Sequence, residues 1–241
     1  MGNKAHTPVI EPKHARAMLT KNSIETLRGH FSLGGAIASS NEPYSLELSK
    51  QKFLGHMASF LEAGLWPNTL LERLFSVSDL TQSNTCLRFD DYVALLYILG
   101  PTGTKEQKIQ LIFRLYDWDA CGYVTKKSMS KMLHLSTGMD CIKASSSWKV
   151  AVNNYDPRSG TVVESREKLT KGDLSSISEA MIDTAMTFYD TDEDGKLNLQ
   201  EFIHFASDSL EIDMLLESLT SPTRVDAPWR SLCCRDGFLN I

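Results

Sequence analysis

Carboxylate side chains recur at alternate positions between Asp190 and Glu201, a pattern that suits a hard divalent cation. Asp190, Asp192 and Asp194 place carboxylates at the first, third and fifth positions of this segment. Ca²⁺ takes about six to eight oxygen ligands in flexible geometry, so a short loop that presents oxygens alternately can enclose it. The chemistry predicted from these residues is the reversible binding of Ca²⁺.

The remaining positions complete the twelve-residue loop of an EF-hand, a calcium-binding helix–loop–helix unit. Gly195 stands at the sixth position, where the chain turns sharply, and Lys196 at the seventh is predicted to contribute only its backbone carbonyl. Asn198 at the ninth position would act directly or through a water, and Glu201 at the twelfth would bind with both carboxylate oxygens. The predicted metal ligands are Asp190, Asp192, Asp194, Lys196, Asn198 and Glu201.

Helical periodicity flanks this loop on both sides. The apolar residues at helical spacing are Ile182, Ala185, Met186 and Tyr189 before the loop, and Leu199, Phe202, Phe205 and Ala206 after it. The alternative is a plain acidic turn between two helices, but such a turn rarely combines Gly195, an apolar Leu197 and a distal Glu201. A single hand is marginal in water, so Leu197 is predicted to pair with a strand of a neighbouring loop.

A second loop of the same design runs from Asp117 to Ser128, but two of its ligands are lost. Its first, third and sixth positions keep Asp, Asp and Gly, whereas Cys121 places a soft thiol at the fifth. Ser128 cannot supply the bidentate carboxylate of the twelfth position. We predict no useful Ca²⁺ affinity here, and a short strand bridge between Val124 and Leu197. A redox or metal role for Cys121 is less favoured, because no second thiol or histidine lies at ligand spacing.

Two fainter copies precede these loops. Around Asp79 the flanking apolar residues keep the spacing of the repeat, but the loop has gained one residue and carries uncharged polar side chains at its ligand positions. A first copy at residues 41–52 is indicated mainly by spacing and by Leu48. The loops begin near residues 41, 79 or 80, 117 and 190, so the first two steps are regular and the last contains an insertion.

This spacing predicts an all-α fold with four EF-hand units in two paired lobes, short β-bridges between paired loops, and only the last loop intact. The predicted segments are a flexible N-terminus (1–20), an N-terminal lobe with two degenerate EF-hands (21–100), a degenerate third EF-hand (101–136), an insertion (137–177), the intact fourth EF-hand (178–212) and a C-terminal tail (213–241). Valines flank a turn-rich run within the insertion, which suits a small surface β-hairpin, and a lost fifth hand is the alternative.

Composition favours a globular protein that does not bind nucleic acid. The 241 residues are 42% hydrophobic, which is ample for a core, and the net charge is −5 with no clustered basic face. Five cysteines, odd in number and mostly scattered, suit a reducing cytoplasm, and no secretory leader or membrane span is visible. Cytoplasmic location is predicted, with a membrane-peripheral or a cytoskeletal or ciliary place as alternatives. The six histidines show no recognisable catalytic pairing, so no enzymatic activity is predicted.

The two ends carry signals for lipid attachment. Gly2 begins a pattern resembling an N-myristoylation signal, although His6 stands where Ser or Thr is preferred. Cys233 and Cys234 are candidate palmitoylation sites, and two lipids would anchor the chain more firmly than one. The favoured alternative for the second signal is a C-terminal tail that folds back into the protein's own groove.

The central and C-terminal parts resemble neuronal calcium sensors and calcineurin-B-like proteins of the EF-hand superfamily. The resemblance covers roughly residues 70–135 and 178–220 and is carried by residues 89–93, 105–108, 111–117, 122–124, Met129 and 194–202. Ciliary calaxin-like proteins share much of this pattern. It implies four hands in two lobes and a hydrophobic surface that receives a partner helix. The insertion before the last hand and the loss of ligands in the second and third loops depart from the family pattern.

The predicted function is that of a calcium sensor or regulatory subunit, for example of a phosphatase or kinase. Ca²⁺ in the loop at 190–201 would reorient the following helix and change the apolar groove offered to an amphipathic helix of a protein partner. The alternative is a constitutive structural subunit of a cytoskeletal or ciliary assembly, in which calcium serves as a structural staple.

Overall fold

A computed structural model describes residues 8–33, 37–38, 46–61, 66–136, 148–156, 161–169 and 171–220 of the chain. The helices within these ranges are α1 (Pro12–Met18), α2 (Lys21–Leu33), α3 (Lys50–Ala58), α4 (Asn68–Ser78), α5 (Phe89–Leu99), α6 (Lys105–Tyr116), α7 (Lys126–Ser136), α8 (Lys171–Tyr189), α9 (Leu199–Asp208) and α10 (Leu210–Thr220). The fold is therefore mostly helical.

Short antiparallel strands connect the loops between helices. They are β1 (Ile37–Ala38), β2 (Leu46–Ser49), β3 (Cys86–Arg88), β4 (Val124–Thr125), β5 (Trp148–Asp156), β6 (Thr161–Leu169) and β7 (Lys196–Leu197). The sheets have the orders β1-β2-β3, β4-β7 and β5-β6. Val124 pairs with Leu197, which confirms the predicted bridge, and Leu48 pairs with Leu87 in the same way between the two earlier loops.

Helix α5 is the centre of the N-terminal half. Every residue of this helix except Asp90 is buried, and it contacts α1, α2, α4 and α6. The ring of Phe31 on α2 packs against Phe89 and Tyr92 with centroid separations of 5.4 and 4.9 Å. A helix that is apolar all round has to be covered on every side, so the remaining helices of this half are arranged about it.

A tight turn joins α5 to α6, where the sequence predicts the joint between the two halves. A Cβ on Gly103 would lie 2.1 Å from the carbonyl oxygen of Ile98, so the turn admits only glycine there. Thr104 then caps α6: its hydroxyl accepts from Gln107 N at 3.2 Å, and the Gln107 side chain accepts from Thr104 N at 3.0 Å. Backbone packing and capping together fix where α6 begins.

The insertion contains a small β-hairpin, as its valines and turn-rich run predict. Strands β5 and β6 pair Trp148 with Leu169 and Asp156 with Thr161, and the fold stays mostly helical. Within residues 1–20, predicted as a flexible N-terminus, the described part contains α1, which buries Ala15 completely against the core.

The boundaries around the fourth hand also move. Helix α8 begins at Lys171 rather than near 178, because Leu174 and Ile177 continue the helical spacing upstream despite an intervening glycine. The segment at 213–241, predicted as a tail, begins inside α10, which buries Ile212 and Leu215.

Among the described residues, no helix combines the length and the apolar character that a membrane span requires. The candidate lipidation residues Gly2, Cys233 and Cys234 lie outside the described ranges, and lipid attachment at them stays a prediction.

Candidate metal centre

The loop between α8 and α9 brings three carboxylates together. One oxygen from each of Asp190, Asp192 and Asp194 lies within 4.8 Å of the others. Asp192 and Asp194 are exposed, and Asp190 is half-buried at the end of α8. The structure thus gathers three of the predicted ligands at one point that is open to solvent, which suits capture of a cation from solution.

Backbone amides hold the first of these carboxylates in place. The side chain of Asp190 accepts hydrogen bonds from Asp194 N at 3.1 Å and from Gly195 N at 2.8 Å. The turn needs left-handed backbone at Glu193 (φ 56°) and at Gly195 (φ 79°). Glycine adopts that conformation without steric penalty, which explains its place at the sixth position.

Glu201 reaches across the loop from the first turn of α9. Its Oε1 accepts from Thr191 N at 2.9 Å and from Thr191 Oγ1 at 2.8 Å, and its Oε2 accepts from Asn198 N at 2.9 Å. Asn198 caps α9 in return by accepting from Glu201 N at 3.2 Å. The sequence prediction missed Thr191, for which no local pattern gives a signal. The buried carboxylate is therefore tied to both ends of the loop.

The electrostatics of this loop favour a cation. Partial desolvation, followed by the nearby charges of Asp194 and Glu201, raises the pKa of Asp192. Desolvation opposes ionisation of Glu201, but the hydrogen bonds from Asn198 and Thr191 outweigh it and lower the pKa of that carboxyl. Glu201 is thus held ionised, and a bound Ca²⁺ would relieve the repulsion that Asp192 experiences.

The side chain of Lys196 contacts both its own loop and the neighbouring one. Its Nζ lies 3.2 Å from Asp194 Oδ2 and 4.7 Å from the centre of the Tyr123 ring on the neighbouring loop. The position of its backbone carbonyl toward an ion remains a prediction. Because the ammonium neutralises one candidate ligand, it has to yield that carboxylate oxygen or share it when a metal binds.

The neighbouring loop keeps the same geometry without the same ligands. Asp117 accepts from Cys121 N at 3.0 Å and from Gly122 N at 2.8 Å, as Asp190 does from its own loop. Ser128 is buried at the twelfth position and accepts from Thr125 Oγ1 at 3.1 Å. The loop backbone is therefore intact, and what it lacks toward calcium is a carboxylate at its fifth and twelfth positions.

The loop at Asp79 is closed by its own side chains. Asp79 accepts from Thr81 N and Oγ1 at 3.2 and 2.7 Å, from Ser83 Oγ at 3.0 Å and from Asn84 N at 2.7 Å. Asn84 adopts left-handed backbone (φ 56°) five residues after the aspartate, where the other two loops have glycine. Leu87 is paired eight residues after Asp79, one more than in those loops, which confirms the predicted extra residue.

Arg73 joins this half of the protein to the third loop, a contact that the sequence did not reveal. Its Nη2 donates to the carbonyl of Arg114 at 2.8 Å and, closely, to that of Asp117. The guanidinium carbon of Arg73 lies 5.2 Å from the centre of the Trp118 ring. The Nζ of Lys131 lies 3.4 Å from the same ring centre. A cation from α4 thereby caps the C-terminus of α6.

Restoring two side chains should recreate a calcium site in the third loop. Cys121→Asp together with Ser128→Glu would supply the missing oxygens on a backbone that already has the required turn. We expect calorimetric titration to show two Ca²⁺ per chain instead of one. The single variant Cys121→Asp, which still lacks the bidentate ligand, is the control and should keep one site. A folded double variant with unchanged stoichiometry would show that more than these oxygens is missing.

An apolar groove lies beside the metal loop. It encloses about 270 Å³ and is lined mainly by Met129 and Leu133 of α7, Met181 and Ala185 of α8, Phe205 of α9, and Leu210 of α10. Met181 and Leu210 are 60% and 75% exposed, so their side chains rim the opening. Phe205, which lines the groove, is on the same helix as Glu201 and packs on Tyr189 at 5.6 Å. A shift of α9 would therefore change the groove.

Comparison with known proteins matches this region to calcium-binding domains. A family model described as an EF-hand domain pair matches residues 165–209. A recoverin family protein of Dictyostelium discoideum is 32% identical over 139 residues, covering 56% of this chain and 53% of the relative. A type 1 calcineurin B protein of the same organism is 25% identical over 138 residues, covering 57% and 58%.

A third relative, the calcium-binding protein NCSA of Dictyostelium discoideum, is 34% identical over 86 residues, covering 36% of this chain and 44% of the relative. The chain spans about half the length of the curated relatives it matches. These similarities confirm the predicted resemblance to EF-hand proteins of the calcium-sensor and calcineurin B kind, and they confirm Ca²⁺ as the predicted ion.

Proposed function

We propose that this chain, which carries an EF-hand domain pair and resembles recoverin-family and calcineurin B proteins, is a calcium-dependent regulatory protein. Its calcium site is the loop at 190–201, with ligands Asp190, Asp192, Asp194, the carbonyl of Lys196, Asn198 and Glu201. The chain itself has no catalytic role in this proposal.

The observation that carries the proposal is the position of Glu201 relative to the groove. Helix α9 carries Glu201 at its first turn and Phe205 one turn later, where Phe205 lines the groove. When Ca²⁺ draws the Glu201 carboxylate from Thr191 to the ion, α9 has to follow, and the groove changes with it. A loop of this ligand type binds at about 10⁻⁷ to 10⁻⁵ M, the range of cellular calcium signals.

The proposal includes the predicted arrangement of four EF-hands in two paired lobes. The antiparallel pairing of Leu48 with Leu87 and of Val124 with Leu197 supports two pairs of loops. Both carboxylate oxygens of Asp79 accept hydrogen bonds from within their own loop, which supports a first pair of loops that holds its shape without a metal ion. In this arrangement only the fourth hand responds to calcium, and the other three position it.

The partner that we propose for the groove is an amphipathic helix. The groove is open and apolar, and its rim residues Met181 and Leu210 are exposed in this structure. Methionine side chains adapt to irregular apolar partners, which suits a groove that accepts the face of a helix. The net charge of −5 further favours a helix with basic residues on its polar side.

A direct test uses the full chain and a synthetic basic amphipathic helical peptide. We expect the peptide to bind with Ca²⁺ in a physiological Mg²⁺ background and to bind at least roughly tenfold more weakly in a chelator. Leu210→Glu should abolish peptide binding while Ca²⁺ affinity stays unchanged, because Leu210 lines the groove and is exposed. Leu33→Glu is the matched control, since Leu33 is 85% exposed on α2.

The second candidate function is a constitutive structural subunit, as in a cytoskeletal or ciliary assembly. The metal-independent closure of the Asp79 loop and the ligand-poor Asp117 loop favour it. In that case the peptide would bind equally with Ca²⁺ and with chelator, and Leu210→Glu would weaken both. The two functions are therefore distinguished by the calcium dependence of one affinity.

A further inference from the structure

A small cavity lies far from the metal loop, where the N-terminal segment crosses the central helices. It encloses about 30 Å³ between α4, α5 and α6. Pro8, Val9 and Ile10 form one wall, which we call the N-terminal cap, and most of the other walls are apolar side chains. The charged exceptions are Asp91 on α5 and Arg114 on α6.

Asp91 is buried in this cavity with one oxygen unsatisfied. The residue is 6% exposed, and within the described part of the chain its Oδ2 has no hydrogen-bond partner. Burial is the main cause that raises the pKa of Asp91 to about 6. The negative charges of Asp79 and Asp90 add to this increase, and the positive charge of Arg88 opposes it. Buried polar atoms are almost always satisfied, so this orphan oxygen requires an explanation.

A proton explains the site better than a cation does. Arg114 lines the same cavity, and burial lowers the pKa of its guanidinium only to about 10, so a second cation would be repelled. The volume admits one or two waters but no larger ligand. On α1, Arg16 is engaged by Asp90 at 3.0 Å, and on α2, Arg28 lies over Phe89 at 5.0 Å. A neutral carboxyl therefore suits the closed cavity.

We propose that the N-terminal cap is a proton-controlled cover, seated while Asp91 is protonated and displaced when its carboxyl ionises. In this mostly apolar cavity the Oδ2 of Asp91 has no direct hydrogen-bond donor among the described residues, so water must enter when the carboxyl ionises. The other walls belong to α4, α5 and α6, whose backbones are held by helical hydrogen bonds, whereas the cap precedes α1 and has no regular structure. The cap is thus the wall that yields.

The direction of the effect follows from linkage. A carboxyl whose pKa is raised by burial stabilises the closed form while it is protonated, and this stabilisation disappears as pH rises through about 6. That stabilisation is complete only below the ordinary carboxyl pKa of 3.8, so the cap should be seated near pH 4 and displaced at pH 7. Burial, aided by the charge of His30, lowers the pKa of His56 to about 4, so this buried histidine is neutral over most of that interval.

Methyl NMR of the full chain between pH 4 and 7.5 tests the proposal. We expect the methyl groups of Val9 and Ile10 to move from buried to solvent-exposed shifts with a midpoint between pH 4 and 6, and the Asp91 carboxyl ¹³C shift to follow the same midpoint. Asp91→Asn, which is isosteric and cannot ionise, should keep the cap seated throughout. Asp90→Asn is the matched control: Asp90 is half exposed and is the smallest contributor to the raised pKa of Asp91, so the transition should persist with a slightly lower midpoint.

Three results would overturn this proposal. In the first, the cap methyl groups of the unmodified chain stay buried at every pH, which would mean that water bridges Asp91 to Arg114 inside a closed cavity. The transition persists in Asp91→Asn, which would assign it to another group. The Asp91 carboxyl titrates at a midpoint different from that of the cap. The last measurement needs no substitution, so it decides the matter even if Asp91→Asn folds poorly.

Discussion

Glu201→Gln should weaken calcium binding roughly hundredfold or more, the largest single effect that we expect in this protein. The substitution removes one negative charge and the bidentate grip of the twelfth position on the ion. Calorimetric titration with Ca²⁺ in a physiological Mg²⁺ background would measure it. An unchanged titration would show that the loop at 190–201 is not the calcium site.

The same substitution should leave the fold intact, which makes the result interpretable. Glutamine also serves in the capping box at the start of a helix, so Asn198 N keeps an acceptor and α9 keeps its first turn. Glu193→Gln is the matched control because it removes the same charge from the same loop. Glu193 is exposed at the fourth position, between ligands, and we expect its variant to bind Ca²⁺ within about threefold of the unmodified chain.

The parts of this site that sequence predicts are those fixed by short-range rules. A glycine five residues after Asp190 is dictated by left-handed backbone, and the apolar Leu197 two residues later is dictated by strand pairing, so both follow from the loop itself. Asn84 obeys the same offset from Asp79, and that offset could have identified it as the residue in the glycine position. The identity of the metal ligands remains a prediction from that spacing.

The parts that sequence does not predict depend on contacts between distant segments. Thr191 holds Glu201 ten residues away, and nothing in a loop pattern requires a hydroxyl at that position. Helix α1 has a weak local pattern and exists because Ala15 and Leu19 are covered by the central helices. Helix propensity is a weak prior that tertiary packing overrides.

Arg73 is the clearest case of such a contact. It belongs to α4, yet its guanidinium donates to the carbonyls of Arg114 and Asp117 at the end of α6, forty-one and forty-four residues away. Burial lowers the pKa of Arg73, whereas the charges of Asp117 and Asp119 oppose that shift. The two aspartates stand at the first and third positions of the loop that has lost its calcium ligands. The guanidinium therefore places a positive charge next to these two carboxylates.

Arg73→Met should destabilise the protein by about 2–4 kcal/mol, because carbonyls at a helix end lose a buried charged donor and Trp118 loses one of its cations. Thermal unfolding should shift down by roughly 4–16 °C for a chain of this size. Arg73→Lys should recover only part of the loss, since a single ammonium does not reproduce the guanidinium fork.

Arg28→Met is the matched control: Arg28 also lies over an aromatic ring, that of Phe89, but it is exposed. Its variant should lose less than about 1 kcal/mol. Equal losses in Arg73→Met and Arg28→Met would mean that the aromatic contact alone matters, and that the third loop is held without the carbonyl bonds from α4.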